Sequence, residues 1–173
     1  MQFMKRLPQS FYARDTHTVA QELLGKILVR QIGKNFLQGR ICEVESYQGE
    51  DDAACHASKG RTKRTEIMYG PAGYAYVYMI YGMHHCLNVV TEVENFPAAV
   101  LIRAIIPMSR MQNKTDGPGK LCRTLHIDRT HNGINLATSE ELFIADDHAH
   151  IAKKDIRASE RIGVAYAGKD ALL

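Results

Sequence analysis

Three runs of strand-forming residues follow one another with only short interruptions: Tyr74–Ile80, Cys86–Thr91 and Ala99–Ile105. Gly82 breaks the first from the second, and Pro97 and Pro107 bound the third. β-branched and aromatic residues at this density, cut by glycine and proline, predict consecutive antiparallel strands and exclude an all-helical fold. Two further runs, Ile27–Arg30 and Phe36–Tyr47, flank the turn residues Ile32-Gly33-Lys34-Asn35 and predict a hairpin.

Helical signals are fewer. Asp15-Thr16-His17-Thr18 precedes Val19, Ala20, Leu23 and Leu24 at helical spacing and Gly25 follows, which predicts a capped helix of about ten residues. A short helix is expected around Lys120–Leu125, after a loop from Met108 to Gly119, and strand-like pieces at Leu142–Ala145 and Ile162–Tyr166. Asp51–Pro71 is polar and basic and reads as a long surface loop, a kind of segment that tends to carry function. The expectation is an α+β fold: a single domain, 1–173, with a curved, mainly antiparallel sheet, flanking helices and a protruding β-hairpin. The 173 residues, 45% hydrophobic, suffice for one core.

No stretch approaches the ~20 apolar residues that span a bilayer, and the N-terminus lacks a signal-peptide core, so no membrane partner and a cytoplasmic location are expected. Cys42, Cys55, Cys86 and Cys122 form no C-x-x-C pair and are expected as free thiols. Cys55-His56 and His84-His85-Cys86 match no common ligand spacing, and adjacent strand residues point to opposite faces; no metal is expected. The net charge of +3 is compatible with a polyanionic partner without requiring one.

The stretch Ile41-Cys42-Glu43-Val44-Glu45-Ser46-Tyr47 carries two carboxylates inside a strand. Alternation sets Glu43, Glu45 and Tyr47 on one face, with the carboxylates roughly 6.5 to 7 Å apart at the backbone. That is either a solvated outer face or a pair spaced as in glycoside-hydrolysing sites. Arg103 interrupts an apolar strand and needs a carboxylate, with Glu45 the obvious candidate; an ion pair of purely structural purpose is the alternative. Tyr76 reads as a core aromatic. Tyr81, beside Gly82, is pushed outward with Met83 at a hairpin tip, as apolar wedges that enter the minor groove are. Asn88, a poor strand former among better ones, is either a buried hydrogen-bonding satisfier or an amide wanted for recognition.

The segments GRICEVESYQGEDDAACHA, YVYMIYGMHHCLNVV, AVLIRAI, DGPGKLCRTL and RIGVAYAG resemble, in order and spacing, the alkyladenine (3-methyladenine) DNA glycosylase family, from about Tyr12 onward. The resemblance implies that Glu45 is the general base, that Arg103 helps hold the nucleophilic water, and that a main-chain carbonyl near Ile162 is a third water ligand. It implies that Tyr47, His56 and Tyr78 wall a base pocket, with Asn88 screening purines at its floor. Tyr81, with Met83, would enter the duplex, and Arg61, Thr62 and Arg64 would meet DNA. Glu43 is then not the catalytic carboxylate. Thr65 stands where the family more often has asparagine, and the chain stops at Leu173, short of the family's usual proline-aromatic C-terminal strand, a departure open to two readings, truncation or incomplete coverage of the chain.

The activity so implied is a monofunctional DNA glycosylase of base excision repair, a monomer acting on double-stranded DNA containing damaged purines, with no cofactor and a bacterial-type, nucleoid-associated location. The alternatives are a non-catalytic nucleic-acid-binding module, in which Glu45 only pairs Arg103, and a nucleoside hydrolase acting on free small molecules.

Overall fold

The computed structural model describes residues 4–172. In chain order its elements are β1 (Lys5–Arg6), α1 (Gln9–Tyr12), α2 (Thr16–Leu23), β2 (Ile27–Ile32), β3 (Asn35–Gln48), β4 (Ala75–Ile80), β5 (His84–Val90), β6 (Ala98–Pro107), α3 (Pro118–Thr124) and β7 (Leu142–Asp146). The seven strands form one antiparallel sheet in the order β1-β7-β2-β3-β6-β5-β4, an open, curled sheet with few helices, and the fold is α+β.

Local chemistry accounts for the elements. The Asp15 carboxylate accepts from the Thr18 N–H at 2.8 Å and caps α2, which ends before Gly25 at φ +87°. Val19, Ala20 and Leu23 turn inward and pack with Leu28, Ile41, Val100 and Ile102 in the main core. Pro118 opens α3, where the missing N–H costs nothing, and Leu121 and Cys122 join the same core. Gly39 lies where β3 runs against β6: a Cβ there would sit 2.5 Å from Ile105 Cδ1, so the close approach requires glycine.

Several expectations need correction. Ile162–Tyr166 is not a strand; it is a turn leading into a 3₁₀ segment from Ala165, with Gly163 at φ +79°, and side-chain contacts rather than a ladder hold it. The loop 51–71 is partly ordered into 3₁₀ turns at His56–Lys59 and Glu66–Tyr69. β1 and α1 carry no periodicity long enough to be read from sequence. The alternation along β3 is also interrupted: Ile41 pairs Ile105, Glu43 pairs Ala104 and Val44 pairs Ile102, so Cys42 and Arg103 are each extra residues in opposed bulges that cancel in register.

Candidate active site

The long strand β3 carries the carboxylates to the middle of the sheet, beside β6 and one strand away from the β4–β5 hairpin. The bulges lie at the point where charge enters it. Arg103, freed from the ladder, reaches both carboxylates: its Nε donates to Glu43 Oε1 at 3.1 Å and its Nη1 lies 3.5 Å from Glu45 Oε1. The expected partner of Arg103 was Glu45; its hydrogen bond instead goes to Glu43, with Glu45 held as an ion pair. The two carboxylates differ in solvent contact, the Glu43 side chain being 47% exposed and that of Glu45 7%.

Glu45 gathers donors. The Ile162 N–H donates to its Oε1 at 2.8 Å and the Tyr47 hydroxyl to its Oε2 at 2.8 Å. Burial, then the Glu45 charge, raises the Tyr47 phenol well above its ordinary range, so the hydroxyl remains the donor of that bond.

Above this carboxylate is a cavity of about 160 Å³, lined by Glu45, Arg103 and Asn88 and by the aromatic side chains of Tyr47, His56, Tyr76, Tyr78 and Tyr166. A closed cavity of this order admits a benzene ring. Here the exposed Ile162 and Tyr166 lie at its margin and leave it open to something larger. The His56 and Tyr78 rings meet edge to face at 4.6 Å. Burial, reinforced by the positive charges of Arg64 and Lys59, lowers the His56 pKa to about 4, so the ring is neutral at pH 7 and shares one hydrogen bond, at 2.9 Å, with the Tyr76 hydroxyl. Asn88 is buried, and its Nδ2 donates to the Tyr76 carbonyl at 3.0 Å, which fixes the amide plane against the cavity.

The hairpin tip is 87% exposed at Tyr81 and 67% at Met83. Tyr81 has φ +51° and Gly82 φ +69°, and the Met83 N–H closes the turn on the Ile80 carbonyl at 3.1 Å, as a primed turn requires. A left-handed tyrosine costs roughly 1 to 3 kcal/mol, a strain tolerated here at an exposed aromatic.

In the basic loop, Arg61 is bound to Glu66 at 2.7 Å and lies over the Tyr69 ring at 5.1 Å, while Arg64 sits 5.1 Å above the Tyr78 ring. Thr62 and Thr65 close a turn: the Thr65 hydroxyl accepts from the Thr62 N–H at 2.8 Å and donates to the Gly60 carbonyl at 3.1 Å. Threonine thus does at position 65 the backbone bonding for which asparagine is suited.

The cavity brings together Glu45, Arg103, Tyr47, His56, Tyr78 and Asn88, while Tyr81, Met83, Arg61, Thr62 and Arg64 lie outside it. Sequence reasoning missed Tyr76, read as core although its hydroxyl holds His56, and it missed the pair Asp52–Arg161. Both members of that pair stand inside quoted segments, EDDAACHA and RIGVAYAG, but 109 residues apart with no periodic signal to join them. Among the described residues no cluster of three His, Cys, Asp or Glu side chains is placed to hold a metal, and no helix is long and apolar enough to cross a membrane.

The α+β fold thus sets a cavity walled by aromatic side chains over a carboxylate–guanidinium pair, a shape and chemistry suited to a flat heterocycle. The particular family follows from comparison. The model of the methylpurine-DNA glycosylase (MPG) family matches residues 10–173, and the chain belongs to that family. It is 52% identical over 172 residues to a protein of Legionella pneumophila (strain Lens), covering 98% of this chain and 93% of the relative. A Methanocella arvoryzae protein is 50% identical over 182 residues (98% and 90% covered), and one from Myxococcus xanthus 50% over 167 residues (95% and 85%). Each bears the name "Putative 3-methyladenine DNA glycosylase".

Proposed function

We propose that this protein is a monofunctional DNA glycosylase that takes alkylated or deaminated purines from double-stranded DNA, flips them into the aromatic cavity and hydrolyses the N-glycosidic bond with a water activated by Glu45. The observation that carries the reading is Glu45 itself: a carboxylate 7% exposed, held by the Ile162 N–H and the Tyr47 hydroxyl, at the base of a cavity walled by aromatic rings.

Flipping costs a few kcal/mol, least for a damaged pair, and stacking on Tyr47, Tyr78 and His56 returns roughly 1 to 3 kcal/mol per face. Tyr81 at the hairpin tip is the filler of the vacated stack. The rings also attract the positive charge of an alkylated purine. Arg161 already lies over Tyr47 at 4.7 Å and Arg64 over Tyr78 at 5.1 Å, however, so that attraction is tempered and stacking supplies most of the retention. Arg103 anchors on Glu43 and turns the rest of its guanidinium to Glu45 and the water. Glu45 takes the water proton, worth 10² to 10⁴ in rate, while its charge steadies the oxocarbenium-like sugar. Among the described residues no lysine lines the cavity, in keeping with water as the nucleophile and an abasic site as the product. Asn88 is the filter against the 2-amino group of guanine in this reading, which its location in the cavity wall and its amide fixed by the Tyr76 carbonyl support.

Single-turnover incubation with duplexes carrying 3-methyladenine, 7-methylguanine, hypoxanthine or ethenoadenine tests the reading. Release of at least one free base, with the strand left uncut, is the expected result. Binding without release would leave a DNA-binding module, and release from free nucleosides alone would leave a small-molecule hydrolase.

A further inference from the structure

After β7 the chain forms no further strand among the described residues, yet this C-terminal arm delivers Ile162, Val164 and Tyr166 to the cavity and the Ile162 N–H to Glu45. What holds the arm is concentrated in one side chain. Arg161 is buried, and its guanidinium clasps Asp52 through Nη1 at 2.7 Å and Nη2 at 2.8 Å. Nη1 also donates to the Ser46 carbonyl at 2.9 Å, and Nη2 to the Asp170 carbonyl. Around it the packing is thin: Val164 and Ala167 rest on Ala54 and Tyr47, and the Ala53 N–H reaches the Asp170 carboxylate at 3.3 Å.

Asp52 is itself fixed, accepting from the Ala54 N–H at 2.9 Å and the Gln48 N–H at 3.3 Å. One ion pair therefore ties three pieces of the site: β3 between Glu45 and Tyr47, the loop that carries His56, and the arm. The guanidinium also lies over the Tyr47 ring, 4.7 Å from its centre; Tyr47 lines the cavity and Arg161 does not.

We propose that Arg161, clasped by Asp52, is a positioning residue for base release: it seats the arm so that the Ile162 N–H orients Glu45, and it braces the Tyr47 ring against which it lies. The inference rests on the glycosylase reading for its effect on rate, but the clasp itself is open to measurement without turnover. A reacting geometry displaced by about 1 Å can lose on the order of 10² in rate, and among the described residues Glu45 accepts two hydrogen bonds, one of them from this arm.

In Arg161→Lys a single ammonium cannot give Asp52 two parallel bonds and still reach the Ser46 carbonyl. The expected result is a fall of about 10- to 100-fold in single-turnover base release, with affinity for a hypoxanthine-containing duplex within about threefold. Hydrogen exchange should quicken at the Ile162 and Ala167 amides, which are bonded to Glu45 and to the Val164 carbonyl, and stay native across β3. The double variant Asp52→Asn, Arg161→Met leaves no unpaired buried charge and should show the same pattern with a native-like melting midpoint. Unchanged release and exchange in either variant would overturn the proposal. So would release, binding and β3 protection all falling together in the double variant, because the pair would then support the whole domain rather than the arm. If the native protein released no base from any lesion, the glycosylase reading would fail, while the exchange data would still decide whether Arg161 seats the arm.

Discussion

Replacing Glu45 by glutamine is the most direct probe of the site, because the structure limits what else the change can do. Oε1 of Glu45 accepts from the Ile162 N–H at 2.8 Å and faces Arg103 Nη1 at 3.5 Å, so the glutamine carbonyl belongs there. Its NH₂ then meets the Tyr47 hydroxyl, which accepts as readily as it donates, and the bond reverses rather than breaks. Arg103 keeps Glu43 at 3.1 Å and is not stranded. Folding should therefore change by about 1 kcal/mol or less, the scale of one hydrogen bond exchanged for another. Under the proposed mechanism the chemistry loses its proton acceptor, about 10² to 10⁴ in rate, or about 3 to 5 kcal/mol at 1.36 kcal/mol per decade. On the same proposal, loss of the charge facing the oxocarbenium-like sugar should deepen the effect. Single-turnover base release from a hypoxanthine duplex should fall at least 10³-fold with binding within a few fold. Glu43→Gln, at a half-exposed side chain whose loss leaves Arg103 to Glu45, should stay within about tenfold of native. Near-native release by Glu45→Gln together with a collapse in Glu43→Gln would refute the assignment and make the outer carboxylate the base.

Tyr81→Ala should weaken binding and release on lesion duplexes by about tenfold and have little effect on single strands, since only a duplex leaves a gap to fill; equal losses on both substrates would make the exposed tip structural. Binding should weaken steeply with salt, by about 0.9 in log–log slope per phosphate contact. Arg64→Gln should flatten the slope more than Arg61→Gln, because Arg61 is already bound to Glu66, and slopes measured by anisotropy at several salt concentrations check this. His56 sets an acid limit: its pKa in the fold is lowered to about 4 from an ordinary 6.5, so between those values the unfolded chain binds the extra proton. Stability from this group is therefore complete above about pH 6.5 and is lost as pH falls toward 4, and a His56→Gln variant should show a shallower loss of melting temperature over that window.

The parts of this protein legible in its sequence are those governed by local rules. Asp15 and Gly25 mark α2 because capping and left-handed backbone act within a few residues, and Gly33 with Asn35 marks the hairpin for the same reason. Tyr81 could be placed at a tip because Gly82 adjoins it. What alternation could not give is the pair of bulges at Cys42 and Arg103, since each exists only against the other strand. In the C-terminal arm Ile162, Val164 and Tyr166 alternate like a strand, yet the segment turns at Gly163 and is tied through Arg161 to Asp52, a contact spanning 109 residues that no local pattern announces. Tyr76 shows the same limit from the other side: its burial was legible, but the bond from its hydroxyl to His56 was not.

The arrangement of the two carboxylates bears on why the strand carries both. An ion pair kept only to satisfy Arg103 needs one partner, and Glu43 supplies it at 3.1 Å from a position still touched by water, where desolvation costs little. Burying a second carboxylate beside it costs several kcal/mol before its partners are counted, and an apolar side chain of similar volume would commonly serve stability as well or better. Glu45 nevertheless sits 7% exposed, with two neutral donors turned toward it and with Arg103 at 3.5 Å, a distance too long for a strong hydrogen bond. Its charge is therefore stabilised mainly by groups that also line or border the cavity. That disposition does little for Arg103; under the proposed function it serves a reacting atom held against the aromatic walls, which would account for a cost of burial that Glu43 does not carry.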